Sequence, residues 1–351
     1  MNPNFVSIIA AKSADRRDLF LTAANRLGTT LQNVEKDFWV CFVLDILFNG
    51  QKDNEPRLLF KGGTSLSKAH GLISRFSEDI DITIFREDIG QNIEVPDLEE
   101  LSSKQQRNRL KNIKQVCQAY IQGSLRERLN QQMTAIFCDA GVNLKQSLVQ
   151  SDENDQDQQT LLVYFPSVSE EIADYVKPAI KIEAGAKSAL DPHQLISIKP
   201  YIASEMPTID LVVEKIITIN AERTFWDKVV ILHGLRRWYD NRKQLRHEGH
   251  RISRHYYDIN RLMQSDIGKC AKTDHALAYD CARHARMFFN SRDMDLKTAH
   301  PGSFALTPTS EMIVMLKRDY QAMAGMIFGE IPDFEEIIRT VSQLEYEVNY
   351  K

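Results

Sequence analysis

Between Leu58 and Phe85 the chain reads LLFKGGTSLSKAHGLISRFSEDIDITIF, and the last third of this stretch constrains the fold most. In EDIDITI, Ile80, Ile82 and Ile84 alternate with Asp79, Asp81 and Thr83. A period of two belongs to a β-strand, whose successive side chains leave the pleated backbone on opposite faces. The isoleucines need a buried face, so the same strand must present two carboxylates side by side on the other, with Cα atoms roughly 6 to 7 Å apart. Upstream, RLLFKGG reads as a short apolar strand ending at glycines, and TSLSKAHGLI as a helical turn or short helix.

Carboxylates at that spacing can share a pair of divalent cations, Mg²⁺ or Mn²⁺, which activate an attacking oxygen and stabilise a leaving pyrophosphate. Gly62 and Gly63 have no Cβ, so a phosphate can approach their backbone N–H groups, and Thr64 and Ser65 add hydroxyl donors. The stretch is not a Walker A loop, and no G-x-G-x-x-G occurs. For an isolated D-x-D the ordinary reading is the solvated face of an edge strand; the glycines just upstream favour chemistry here. A third carboxylate comes from AIKIEAG, where Lys181 and Glu183 face away from Ile180 and Ile182. Glu183 joins Asp79 and Asp81 as a metal ligand if the two strands are neighbours, and otherwise belongs to an exposed Lys/Glu face. Arg75 is either a phosphate ligand or a surface residue, and Lys68 and Lys181 are the further candidates for holding a nucleotide.

With 351 residues, 43% of them hydrophobic, the chain can build two domains or one large one around a sizeable core. SADRRDLFLTAANRLG and LQNVEKDFWVCFVLDILFNG read as helices, the second a core helix. Leu101 to Ala140 has helical periodicity with a break near Gly123 and looks inserted between strands. VNLKQSLV and TLLVYFPSV form a strand pair around a solvated acidic tip, and PAIKIEAGA and LISIKPYI are further strands. From about residue 210 the pattern turns helical, with five amphipathic segments and a loop marked by Pro301 and Pro308. The expected organisation is thus residues 1–209 with the sheet, N-terminal helices and a helical insertion near 100–140, then a helical domain over 210–351.

A net charge of −4 excludes a global basic field, so any nucleic-acid contact must be local. One local candidate is LRRWYDNRKQLRHEGHRISRHYYD, basic and interleaved with Trp238, Tyr239, Tyr256 and Tyr257; a solvated loop between helices is its plain alternative. His247, His250 and His255 fit that polar loop better than a zinc site. Five cysteines without a C-x-x-C pair read as reduced core thiols. No apolar run approaches the roughly 20 residues of a membrane span, so a cytoplasmic protein without a membrane partner is expected.

GGTSLSK followed by RFSEDIDI resembles the signature of the AbiEii/AbiGii-type toxin nucleotidyltransferases, a branch of the DNA polymerase β-like superfamily found in abortive-infection and type IV toxin-antitoxin systems. VEKDFWVCFVLDILF before it and AERTFWDKVVILH, SRHYYDI, PGSFALTP and MIFGEIPDFEEII after it are similar to family patterns in the same order. The resemblance implies an α+β fold, a polymerase β-like core with a mixed sheet followed by a helical C-terminal domain. It implies an NTP substrate, a tRNA 3′ end as acceptor and an antitoxin as partner. It places Gly63, Thr64 and Ser65 in the phosphate-holding turn, Asp79 and Asp81 as metal ligands, and Lys228 and Asp258 as catalytic residues. Read from the residues alone, Lys228 can neutralise a triphosphate or extend to solvent, and Asp258 can pair with Arg254 at i,i+4. Transfer of a nucleoside monophosphate to a protein, a non-catalytic nucleotide sensor and a metal-dependent nuclease are the other readings.

Overall fold

The structure is a computed structural model and describes residues 1–142, 148–169, 178–246 and 251–350. Helices α1 (Asn4–Ala10), α2 (Ser13–Leu27) and α3 (Leu31–Asn49) precede strand β1 (Leu58–Lys61), helix α4 (Gly62–Lys68) and strand β2 (Ile80–Ile84). Helices α5 (Val95–Glu100), α6 (Ser103–Tyr120) and α7 (Arg126–Asp139) come next, then strands β3 (Val149–Ser151), β4 (Thr160–Tyr164), β5 (Ala179–Gly185), β6 (His193–Ile198) and β7 (Val213–Ile219). The remainder is helical: α8 (Ala221–Arg242), α9 (Ser253–Gln264), α10 (Asp266–Ala271), α11 (His275–Phe288), α12 (Ser310–Met323) and α13 (Phe334–Tyr350). Two compact units divide the chain: Met1–Ala69, Phe76–Ile93 and Ser103–Ile219 form the first, and His70–Arg75, Glu94–Ser102 and Asn220–Lys351 the second.

In the first unit the strands form one seven-stranded mixed sheet in the order β3-β4-β5-β2-β1-β7-β6. β2 lies inside it, antiparallel to β1 and parallel to β5, and Ile80, Ile82 and Ile84 are fully buried as their alternation requires. Helix α3 begins at Thr30, whose side chain accepts from Asn33 N–H, and is buried from Val34 to Leu47 except at Lys36. A helix apolar all round belongs in a core. Trp39 supplies its centre, stacked on Phe165 at 5.1 Å and edge-on to Phe38 and Phe42 at 5.2 and 5.6 Å. Three carboxylates share that helix and are satisfied inside the unit: Glu35 accepts from Ser167 Oγ and Val168 N–H, Asp37 from Tyr201 N–H and Lys68 Nζ, and Asp45 from Asn2 N–H and Asn49 Nδ2.

Some expectations need correction. Gly123 does not break the helical insertion; α6 runs into α7 through a π-helical stretch, Ile121–Leu125, which widens the turn while keeping Ile121 and Leu125 buried. The segment VVEKIITI contains β7, a strand past residue 209 that belongs to the first unit's sheet, so the helices start at Ala221. Of the VNLKQSLV strand, residues 143–147 lie outside the described residues, and the strand seen is Val149–Ser151. Cys41, Cys117 and Cys281 are buried and free, whereas Cys138 and Cys270 are free but exposed rather than core thiols. No helix among the described residues is long and apolar enough to cross a membrane.

In the second unit, α8 and α9 carry most of the interior. Trp226 donates its indole N–H to Ala271 O at 2.9 Å, and Tyr256 and Tyr257 are buried on α9. His233 of α8 accepts from Ala305 N–H through Nδ1 at 3.0 Å, with Nε2 3.2 Å from Asp295 O. Only the neutral tautomer with its proton on Nε2 satisfies both contacts. Burial, with Arg237 adding to it, lowers the imidazole pKa to about 4. A proton binds the unfolded chain first, so this contribution to stability is complete above about pH 6.5 and is lost as pH falls toward 4. Urea unfolding of wild type and His233→Gln across that range checks it: the difference between them shrinks as the solution is acidified.

Candidate active site

The strand β1, the glycine turn and β2 fold back on each other as an antiparallel pair in which Lys61 faces Asp81. On the other side of β2, parallel pairing sets Asp81 opposite Glu183, and Glu183 in turn faces Thr160 of β4. Partners across a sheet share a face, so Lys61, Asp81 and Glu183 form one row, with Asp79 one pleat before it. The neighbouring strands that Glu183 needed are therefore present.

Gly62 makes the arrangement possible. Its φ is +81°, and a Cβ there would sit 2.0 Å from Asp81 Oδ2. The turn is also tied to the entry of β2: Thr64 Oγ1 bonds to Asp79 O and, at 2.8 Å, to Ser77 Oγ, while Ser65 Oγ donates to Gly62 O at 2.9 Å. Both hydroxyls, expected as phosphate donors, are buried in the structure of the turn itself. They fix the distance between glycines and aspartates.

Charge is concentrated here. Burial, then Glu183, Glu78 and Asp81, raise the Asp79 carboxyl to about 6, with Lys181 acting against them. Lys181 Nζ stands 2.7 Å from Glu183 Oε1, and despite partial burial its positive charge is favoured by Glu183, Asp79 and Asp152. Glu78 is neutralised separately by Lys36 of α3. Among the described residues no group of three or more His, Cys, Asp or Glu side chains stands as a metal-binding cluster. The donor chemistry nonetheless fits a hard divalent ion: Asp79, Asp81 and Glu183 offer carboxylate oxygens from one sheet face, and their mutual repulsion is relieved by positive charge, a place now taken by Lys181.

Other predicted residues are held in ion groups of their own. Lys68 is buried in an ion pair with Asp37 at 2.6 Å, its ammonium 3.8 Å from the Tyr201 ring centroid, and faces the first unit's interior. In the second unit Asp258 is fully buried and takes a two-pronged bond from Arg75, Nε to Oδ1 at 2.8 Å and an Nη to Oδ2 at 2.9 Å, with Lys228 Nζ also 2.8 Å from Oδ2. The expected Arg254 partner is replaced by a residue 183 positions away. Burial opposes ionisation of Asp258, but Arg75 and Lys228 outweigh it and hold the carboxyl below its usual range. His255 sits in the first turn of α9, and His247 and His250 lie outside the described residues. Lys61, Glu78 and Lys36 were not singled out from sequence. Lys61 directly precedes the glycines, and that adjacency was the available signal.

The fold is that of a nucleotidyltransferase. The chain is similar to MenT4, a nucleotidyltransferase toxin from Mycobacterium tuberculosis H37Rv, with a TM-score of 0.52, 14% sequence identity, and coverage of 95% of this chain and 90% of that one. The sequence places it more closely: the model of a family described as nucleotidyl transferase AbiEii toxin, type IV toxin-antitoxin system, matches residues 45–340. The chain belongs to that family, whose membership implies an NTP substrate and an antitoxin partner. Comparison with curated proteins finds no match.

Two substitutions separate the site from its support. Gly62→Ala puts a methyl group where Asp81 Oδ2 now lies and is expected to lower nucleotidyl transfer by at least about 100-fold while circular dichroism stays native, since the displaced group is one side chain. Asp258→Ala leaves Arg75 and Lys228 buried without their carboxylate and is expected to cost about 3–5 kcal/mol in denaturant unfolding.

Proposed function

We propose that the chain transfers a nucleoside monophosphate from an NTP to a hydroxyl at the 3′ end of tRNA, arresting growth unless its antitoxin intervenes. The reading rests above all on the register that sets Asp81 beside Glu183, with Asp79 on the same face and Gly62 packed against Asp81. In the reaction the acceptor oxygen bonds to the α-phosphorus as the bond from that phosphorus to the bridging oxygen breaks, and pyrophosphate carries away the electron pair. Asp79, Asp81 and Glu183 are the residues that would hold Mg²⁺ or Mn²⁺, which when bound polarises the phosphate and offsets charge on the leaving group.

The chain's own residues supply the rest. The backbone at Gly62 and Gly63 receives phosphate oxygens, because no side chain blocks the approach. Lys181, which neutralises Glu183 in the absence of other cations, is free to turn to a phosphate oxygen once its carboxylate is taken. Lys61 adds a second positive charge in the same row. Glu183, which is partly exposed, or a neighbouring carboxylate accepts the acceptor's proton. In the second unit Asp258 holds Arg75 and Lys228 in position. A cytoplasmic location, where NTPs and tRNA are found, belongs to the same proposal.

The test incubates the protein with total bacterial tRNA, Mg²⁺ and each α-³²P-labelled NTP. Label is expected on RNA with one preferred nucleotide, stopped by chelation, restored by Mg²⁺, and reduced at least about 1000-fold in Asp81→Ala. Label on protein would replace the acceptor; label on RNA with undiminished Asp81→Ala would remove the carboxylates from the reaction.

A further inference from the structure

Helix α6 carries Lys104, Arg107, Arg109, Lys111 and Lys114 and no acidic residue, in a chain whose Asp and Glu outnumber its Lys and Arg by 48 to 44. Lys104, Arg107, Lys111 and Lys114 recur at intervals of three and four, so they line one side of the helix, while Ile113 and Cys117 are buried on another. Lys104, Arg107 and Lys111 are exposed and make no ion pair among the described residues. Lys114 pairs with Asp157, and Arg109 is turned aside to Gln91 and Asn92.

The direction in which this row leads gives it meaning. Gln159 Nε2 lies 3.7 Å from Cys117 Sγ and would be 3.9 Å from a Cβ at Gly185, so α6 packs on the sheet face that carries Glu183, two residues earlier on β5. Lys187 follows two residues beyond Gly185 and is half-buried; burial and the nearby charge of Lys114 both disfavour its ammonium, with Asp157 compensating in part. A row of cations therefore runs along a helix that packs on the sheet face carrying Glu183. Neighbouring positive charges that lack enough carboxylates are relieved by an anion, and a series of them by a polyanion.

We propose that Lys104, Arg107 and Lys111, continued by Lys114 and Lys187, form the track on which the phosphodiester backbone of the acceptor RNA lies; this rests on the reading that the acceptor is RNA. Successive cations are separated along the helix axis by about 4.5 to 6 Å, a spacing that serves consecutive phosphates of one strand. The contacts are with phosphates, so the track holds and orients the RNA without choosing its sequence. It delivers an end of the strand to the carboxylate face.

Filter binding of the full chain to total tRNA without NTP, over a series of salt concentrations, tests the track. The K104Q/R107Q/K111Q variant is expected to bind at least about tenfold more weakly, and its plot of log affinity against log salt to be shallower by about 2 to 3, the slope carried by three phosphates. K104R/R107K/K111R should restore both. In transfer assays the neutral variant should raise the tRNA KM and leave kcat at saturating tRNA unchanged. If wild type binds and labels tRNA while the neutral variant matches its affinity and salt slope, the track is overturned and the RNA reading stands. If wild type neither binds nor labels tRNA, both fall.

Discussion

The Asp81 carboxylate, packed against a backbone that has no side chain to displace it, is the contact around which the first unit's site is arranged. Gly62 must be glycine twice over, once for its positive φ and once for the space Asp81 occupies. From that contact the sheet sets the remaining distances. Antiparallel pairing to β1 aligns Lys61 with Asp81, parallel pairing to β5 aligns Glu183, and the Thr64 bond to Asp79 O keeps the turn from drifting along the strand. The apolar side of the same strand, buried with α3 in the unit's interior, anchors the row because a slip of one residue would bury the aspartates and expose the isoleucines.

Electrostatics in the two units solve different problems. Around Asp79 the carboxylates are left in excess, and a lysine on the neighbouring strand supplies the balancing charge by reaching along its own strand from residue 181 to residue 183. Such a pair is partly solvated, so exchanging it for another cation costs little. The Arg75–Asp258–Lys228 group is the opposite case: fully buried, bidentate and internally satisfied, it is costly to break at any one member. One arrangement suits a place where ions come and go, and the other a place where position must not change.

Local periodicity made the centre of this fold legible. The alternation in β2 and β5 named the buried and the acidic faces before any pairing was known, and the apolar run of α3 announced a core helix. What was not legible depends on contacts distant in sequence. Nothing near Lys68 or Asp37 says that they will meet, or that Asp258 will choose Arg75 over the adjacent Arg254. Thr64 and Ser65 have the right chemistry for phosphate, and only the fold shows their hydroxyls turned onto backbone oxygens. β7 was missed because VVEKIITI stands next to a long helical region and its partner β1 lies far back in the chain.

The path of the backbone has a consequence of its own. The second unit takes in His70–Arg75 and Glu94–Ser102 from the middle of the chain as well as everything after Asn220, so the polypeptide leaves the first unit and returns to it twice before departing for good. No single cut separates the two. A fragment ending at Ile219 would keep Arg75 while losing both the carboxylate and the lysine that share its ion group, and the six-residue helix α5 would lose the arginines of α11 that now bind Glu99. The early residues of the second unit must wait for the last third of the chain before they have partners, which makes its completion a late event in synthesis.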